Sequence, residues 1–324
     1  MNWDEISARH PEANFLQSPK YGKMNELLGD KVITESLSGG GGALMVVRAA
    51  KRGRYLEIPC GPLIDWKNKD AAKDVFAKIT EIAKAEKCVF VRVRPQLMNT
   101  PENLRLLAEL GLRKAPMHLA AEHTVMIDLT KSKEELMANM RRQTRYEVRR
   151  ASKLGIKVEK FNSEEIFREF RKVQANTAKR QGFVPPSLKT LLAERQAFGD
   201  DIAIYVAKTS EDKPVAYGMI IKGGKEGDYY EAASTELNRK LPGAYALLWQ
   251  VVQDLKDEGY ERFNLWGIAP AGQPHHRYAG VTTFKTGFGG KTVEYVPAHD
   301  LVINKLGYIK NLIVETARKK KRHL

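Results

Sequence analysis

The stretch DIAIYVAKTSEDKPVAYGMIIKGGKEGDYYEAASTELNRKLPGAYALLWQVVQDLKDEGYERFNLWG, residues 201–267, decides the fold. Within it, DIAIYVAK (201–208), PVAYGMIIK (214–222) and DYYEAAS (228–234) are β-branched and aromatic runs set apart by Gly, Pro and Asp, the pattern of a strand meander. GAYALLWQVVQDLKDEG (243–259) changes to the period of an amphipathic helix and stops at Gly259. RFNLWG (262–267) is the next strand. A meander followed by a helix and a further strand predicts a mixed sheet covered by helices.

Toward the N-terminus the same order recurs. ALMVVRAA (43–50) and RYLEIP (54–59) are two strands in hairpin order, preceded by Gly39 to Gly42, which read as a loop. Residues 68–87 place Ala72, Val75, Phe76, Ile79, Ile82 and Ala83 at helical spacing. CVFVRVRP (88–95) is a buried strand stopped by Pro95, and PENLRLLAEL (101–110) is a short helix opened by Pro101 and ended by Gly111. The expectation is an α/β (α+β) protein of two lobes with mixed sheets, residues 1–125 and 126–324.

Composition narrows the setting. With 43 % hydrophobic and 29 % charged residues, the chain has material for real cores and is not a disordered polymer. No apolar run approaches the roughly 20 residues that span a bilayer. The opening MNWDEISARHPEANF has no apolar centre of the kind found in signal peptides. Cys60 and Cys88 cannot build a disulfide framework, and no Cys/His spacing resembles a metal site. A cytoplasmic protein without a metal is expected. The net charge of +15 suits a polyanionic partner, but it equally suits plain solubility, so the location of the charge has to decide.

Much of that charge sits in KSKEELMANMRRQTRYEVRRASKLGIKVEKF, residues 131–161. Ser132 and Glu135 have capping-box spacing, and Gly155 is a natural stop. Met137, Met140, Thr144, Val148 and Ala151 share one helical stripe, while Arg141, Arg142, Arg145, Arg149 and Lys153 fall on the opposite side. Like charges four residues apart repel, and phosphates would relieve that repulsion. An ordinary solvated face is the bland alternative. Two further segments stand out: TAKRQGF (177–183), where Arg180 precedes a glycine stop, and GVTTFKTGFGG (280–290), which combines Phe284, Lys285 and Phe288 with a glycine turn. Read alone, Arg180 complements a helix dipole and Lys285 snorkels at a helix end.

Taken in order along the chain, these segments resemble the Fem family of peptidoglycan interpeptide-bridge transferases. The basic segment resembles the family's R-x-x-x-R-x-x-I-R-x-A-x-K-x-G through Arg141, Arg145, Val148, Arg149, Ala151, Lys153 and Gly155. TAKRQGF resembles T-x-x-R-x-G-F, and GVTTFKTGFGG resembles G-x-x-x-F-K-x-x-F-G. EIPCGPLID (57–65) is similar to R-G-P-x-x-D, with Cys60 where the family has arginine, and NFLQSPKYGKMNELLG (14–29) is similar to the opening Q-S-x-x-W-x-x-x-K. The resemblance implies two tandem lobes of the GNAT-like acyltransferase fold, in a compact form without a long helical arm.

It also implies transfer of an amino acid from aminoacyl-tRNA to the stem peptide of a nucleotide-linked (UDP-MurNAc-peptide) or lipid II-type precursor, by a monomer with no resident cofactor. Lys285, with Phe284 beside it, then stands at the reaction centre. Lys23, Asp65, Arg180 and Tyr230 are the implied substrate-binding residues, with Lys23 and Arg180 on the nucleotide phosphates. Arg141, Arg142, Arg145, Arg149 and Lys153 are the implied tRNA-binding residues. A lysine suits the centre, because amine attack on an ester builds an oxyanion that a fixed cation stabilises. Asp65 and a substrate phosphate are both candidates for taking the amine's proton. The seven histidines are scattered, and His275–His276 lie in a loop-like QPHHRYAG (273–280), so no dyad or triad is evident.

Three other readings compete. An acyl-CoA N-acyltransferase of the same fold grips pyrophosphate with successive backbone N–H groups at a helix start. In NRKLPGAYALLWQ (238–250), Pro242 stands where the first glycine of that loop belongs and has no N–H to give. A nucleic-acid-binding protein without catalysis accounts for the ridge but not for the other two segments. A Fem relative acting on something other than peptidoglycan also remains. Finally, the tail ARKKKRHL (317–324) offers charge for peripheral contact with an anionic inner membrane surface, at about 1 kcal/mol per basic residue, although a solvated terminus is the commoner reading.

Overall fold

The structure, a computed structural model, describes residues 3–50 and 53–322. It divides into two compact units, Met1–Glu122 with Glu294–Leu324, and His123–Val293. The first unit begins with α1 (Trp3–Arg9), α2 (Pro19–Leu28), β1 (Lys31–Leu37), β2 (Gly41–Ala50), β3 (Gly53–Pro59), α3 (Lys69–Ala85), β4 (Cys88–Arg94), α4 (Pro101–Glu109) and β5 (Arg113–Lys114). The second comprises β6 (His123–Asp128), α5 (Lys133–Asn139), α6 (Arg142–Lys153), β7 (Lys157–Phe161), α7 (Glu164–Gln181), α8 (Leu188–Phe198), β8 (Ile202–Lys208), β9 (Pro214–Gly223), β10 (Glu226–Ser234), α9 (Gly243–Asp257), β11 (Arg262–Gly267), α10 (Ala279–Thr286) and β12 (Lys291–Glu294). The chain then returns to the first unit as β13 (His299–Val302) and α11 (Lys305–Arg322).

This return corrects the expectation that residues 126–324 form one lobe. β13 inserts between β4 and β5, antiparallel to both, in the sheet order β1-β2-β3-β4-β13-β5. The insertion is fixed by charge: Arg92 of β4 donates to both Asp300 oxygens, at 2.7 and 2.9 Å, in a fully buried fork. The glycine run before β2 is also not simply a loop. Gly41 and Gly42 pair with Leu37 and Ser36 inside the sheet, and a Cβ on Gly41 would sit 2.4 Å from the Leu63 carbonyl oxygen.

Each sheet holds a parallel pair whose strands are joined by a covering helix, α3 for β3–β4 and α9 for β10–β11. α3 buries Ala72, Val75, Phe76, Ile79 and Ala83 against the first sheet. α9 buries Leu247, Leu248, Val251, Val252 and Leu255 against the second, whose order is β12-β6-β11-β10-β9-β8-β7. The basic segment forms a pair of helices, α5 and α6. α5 starts on the Ser132–Glu135 capping box, and the chain turns extended at Met140 and Arg141 before α6 begins. Thr144, Val148 and Ala151 of α6 are buried as the stripe predicted. α7 and α8 occupy the segment in which a long helical arm would have to lie.

Candidate active site

The second sheet opens at one place. β10 pairs with β11 only from Glu226–Asp228 against Arg262–Asn264. Beyond that point, the register of β10 on β9 slips between Tyr229 and Glu231, and the register of β11 on β6 slips between Asn264 and Gly267. Bulges bend strands and re-aim their side chains, so two of them at one level part the parallel neighbours. Trp266 sits at φ 61° in its bulge, and Asn264 holds it there by accepting from the Trp266 N–H at 2.9 Å while donating to Glu226 at 3.1 Å. Across the gap, Tyr230 and Trp266 meet edge to face with ring centroids 5.2 Å apart.

Lys285 reaches this opening from the last turn of α10. Its Nζ donates to the Gly267 carbonyl at 2.8 Å, lies 5.7 Å from the Tyr229 ring centroid, and the residue is 7 % exposed. The following glycines fix its helix. A Cβ on Gly289, whose φ is +81°, would sit 2.3 Å from the Asn139 carbonyl oxygen, so only glycine lets this turn press against the end of α5. The Phe284 ring packs edge to face on Tyr245 and Phe288, at 5.0 and 5.5 Å, in the core beneath α9. Its side chain is thus a wedge that sets the angle of α10.

Three polar groups that the sequence reading did not single out bear on the lysine in a chain: Glu231 acts on it directly, and Gln174 and Glu194 act on Glu231. Glu231 of β10 accepts from Gln174 Nε2 of α7 at 2.7 Å, and Glu194 of α8 is 4 % exposed with its Oε2 lacking a protein hydrogen-bond partner. Burial drags the Lys285 ammonium down to about 7 against the opposing pull of Glu231. Burial likewise pushes Glu231 up to about 7, partly offset by Lys285 and Gln174. Glu194 is pushed up to about 8 by burial, with the charge of Glu231 adding to it. Near neutral pH, this cluster therefore changes its proton count easily.

That has a consequence for stability. A carboxyl whose folded pKa is raised holds a proton that the unfolded chain has released, so its contribution is present at low pH and lost as pH rises through the shifted value. Glu194→Gln, which stays neutral, should leave the melting temperature near wild type at pH 5. At pH 8 it should be the more stable protein, by on the order of 4 kcal/mol. Thermal melts across that range check this, and a difference that does not grow with pH would refute it.

The remaining predicted residues separate. Tyr230 lines the opening. Arg180, in the last turn of α7, donates to the Ser234 carbonyl at 2.7 Å and pairs with Glu236 at 3.0 Å, so it latches α7 to the end of β10. Lys23 and Asp65 belong to the first unit. Lys23 is exposed on α2, 3.9 Å from Glu26, and Asp65 caps a turn by accepting from the Lys67 N–H at 3.0 Å. At Cys60, where the resemblance expects arginine, the buried Arg94 of β4 donates to the sulfur at 2.7 Å, so a neighbouring strand supplies the guanidinium.

The cationic ridge is continuous with this centre. Arg141 donates to Thr286 Oγ1 at 2.9 Å, and its backbone N–H donates to the Gly287 carbonyl at 2.8 Å. Arg145 donates to the Ala138 and Met140 carbonyls and closes the break between α5 and α6. Among the described residues, Arg142, Arg149 and Lys153 stand exposed without an ion pair. With Arg145, Tyr146 and Arg150 they line an open groove, and Tyr146 is 57 % exposed. At the start of α9, by contrast, the Gly243 N–H already donates to the Leu241 carbonyl, at 2.9 Å, and the Ala244 N–H to Asn238 Oδ1, at 3.0 Å. A pyrophosphate would have to displace both.

Among the described residues, no cluster of His, Cys, Asp and Glu could hold a metal ion, and no helix is long and apolar enough to cross a membrane. The chain matches the FemAB family over residues 2–105, 111–213 and 202–315. It is 21 % identical over 350 aligned positions to the aminoacyltransferase FemA of Staphylococcus aureus, covering 82 % of this chain and 83 % of that one. A crystal structure of FemX superposes with a TM-score of 0.85 at 17 % identity, over 96 % of this chain and 97 % of that one. A tandem GNAT protein from the clavulanic acid biosynthesis pathway superposes with a TM-score of 0.55 at 10 % identity, over 85 % and 84 %. The fold is accordingly two-lobed and α/β, as the strand order predicted, and acyltransferase-like, as the resemblance implied. With family matches running along nearly its whole length, the chain belongs to the FemAB family and is an enzyme, an aminoacyltransferase.

Proposed function

We propose that this enzyme, working in the cytoplasm, moves an amino acid from aminoacyl-tRNA onto an amine of a peptidoglycan stem peptide. The observation that carries the reading is the buried Lys285 held on the Gly267 carbonyl where β10 and β11 part. The acceptor amine attacks the ester carbonyl carbon and forms the C–N bond. The carbonyl oxygen becomes an oxyanion, which the Lys285 ammonium stabilises in a site with little water. Collapse re-forms the carbonyl and breaks the ester C–O bond. The terminal ribose oxygen of the tRNA leaves and takes up a proton, while the amine loses one. An ester is already activated, so positioning supplies much of the rate and no resident cofactor is needed.

Arg142, Arg149 and Lys153 supply unpaired charge for tRNA phosphates, and Arg141 joins that face to the helix of Lys285. Lys23, Asp65, Tyr230 and Arg180 are the proposed acceptor contacts. The filled start of α9 argues against coenzyme A as donor.

The decisive experiment incubates the enzyme with mixed charged tRNA and, in separate arms, nucleotide-linked and lipid-linked muropeptide, with mass spectrometry of the acceptor. A mass increment of one amino acid is expected, abolished by ribonuclease and not restored by acetyl-CoA. Replacing Arg142, Arg149 and Lys153 together by Gln should raise the tRNA KM about tenfold or more and flatten its salt dependence, with acceptor KM unchanged. Transfer that survives ribonuclease and follows acyl-CoA would replace this reading with the acyl-CoA one.

A further inference from the structure

The C-terminal helix α11 is attached to the first unit by the wrong face for an ordinary amphipathic helix. Its inward side is polar: Tyr308 donates to Asp300 at 3.0 Å, Glu315 pairs with Arg92 at 2.8 Å, and Asn311 is buried. On the opposite side, at helical spacing, stand Leu306, Ile309, Leu312 and Ile313, which are 77, 51, 38 and 64 % exposed. Single exposed apolar residues need no explanation, but four large ones on one face of one helix form a contiguous patch. The helix cannot roll to bury them, because the Arg92–Asp300–Glu315 cluster locks its inner side.

Charge says what covers the patch. Lys305 and Lys310 are exposed on either flank of it, and Arg318 and Lys319 add exposed charge nearer the C-terminal end of the helix. The helix carries one acidic residue, Glu315, and that one faces inward. A second copy of the chain brought onto this face would set lysine against lysine. An RNA would find phosphate ligands but no use for the leucine and isoleucines. A sheet of negatively charged headgroups over hydrocarbon satisfies both features at once.

We propose that the outer face of α11 docks on an anionic lipid bilayer, with Leu306, Ile309, Leu312 and Ile313 entering the headgroup boundary and the flanking lysines on the lipid phosphates. The helix lies in the surface and does not span it. This stands on α11 alone and is independent of the substrates proposed above.

The full chain is sedimented with vesicles of phosphatidylcholine, and with vesicles of phosphatidylcholine mixed with phosphatidylglycerol, at low and high salt. Wild type should partition at least about fivefold more onto the mixed vesicles, less so at high salt. Ile309→Ser combined with Ile313→Ser should lower that partition at least about fivefold at either salt, with the melting temperature unchanged. Lys305→Gln combined with Lys310→Gln should keep weak binding but lose the preference for the mixed vesicles. Absence of vesicle binding by wild type, or equal binding by the serine variant, overturns the proposal. So does a concentration-dependent wild-type dimer, seen in sedimentation equilibrium, that the serine variant abolishes; that result would give the face to a second copy.

Discussion

Lys285→Met is expected to lower kcat by on the order of 10²–10³ while leaving the affinity for both substrates nearly unchanged. The charge it removes interacts with an oxyanion that exists only in the transition state, so the loss should fall on the chemical step. Folding should survive. The lysine is buried with its ammonium destabilised by that burial, and methionine fills a similar volume without charge. Lys285→Arg keeps a cation, but its planar head group cannot occupy the same point beside the Gly267 carbonyl, and it should recover only part of the loss. Single-turnover rates of a preformed ternary complex, measured beside thermal melts, separate chemistry from binding and stability. Normal single-turnover chemistry in folded Lys285→Met would remove the lysine from the mechanism.

Why Lys285 was legible while its surroundings were not follows from distance along the chain. GVTTFKTGFGG packs the lysine, its phenylalanine wedge and the glycines that press α10 against α5 into eleven consecutive residues, so a local reading sees the whole device. The meander and α9 were equally local, each strand bounded by its own turn residues. Glu231, Glu194 and Gln174 come from β10, α8 and α7 and meet only after the sheet has formed. The bulge at Tyr229–Glu231 further hides Glu231, because it breaks the alternation from which the facing of a strand residue is read. One signal was available: Glu194 shares the apolar stripe of Leu191 and Phe198, where an acid is out of place. β13 left no such trace. Four residues are too short to show a period, and its partner Arg92 lies some 200 positions earlier, so the return of residues 294–324 to the first unit was invisible.

The cluster around Lys285 leads to the second large effect. A cation whose charged form is disfavoured by burial needs a counter-charge to hold its proton at working pH, and Glu231 is the group that opposes the burial effect. Glu231→Gln keeps a side chain of the same shape but removes that charge, so the Lys285 pKa should fall below its wild-type position. If Lys285 must be protonated for the chemical step, kcat declines as pH rises through its pKa, and the variant should decline earlier. Near pH 6, Glu231 of the wild type is itself largely protonated, given its raised pKa, so the two proteins should be alike there. At pH 8 the variant should be slower by about ten- to a hundredfold, since each unit of displacement is worth a factor of ten. Combining Glu231→Gln with Lys285→Arg should abolish the decline, because a guanidinium keeps its proton without help. A purely structural role for Glu231 predicts the same fractional loss at every pH and no rescue by arginine. Single-turnover pH profiles of the three proteins decide between the two, and parallel profiles would leave Glu231 outside the catalytic proton balance.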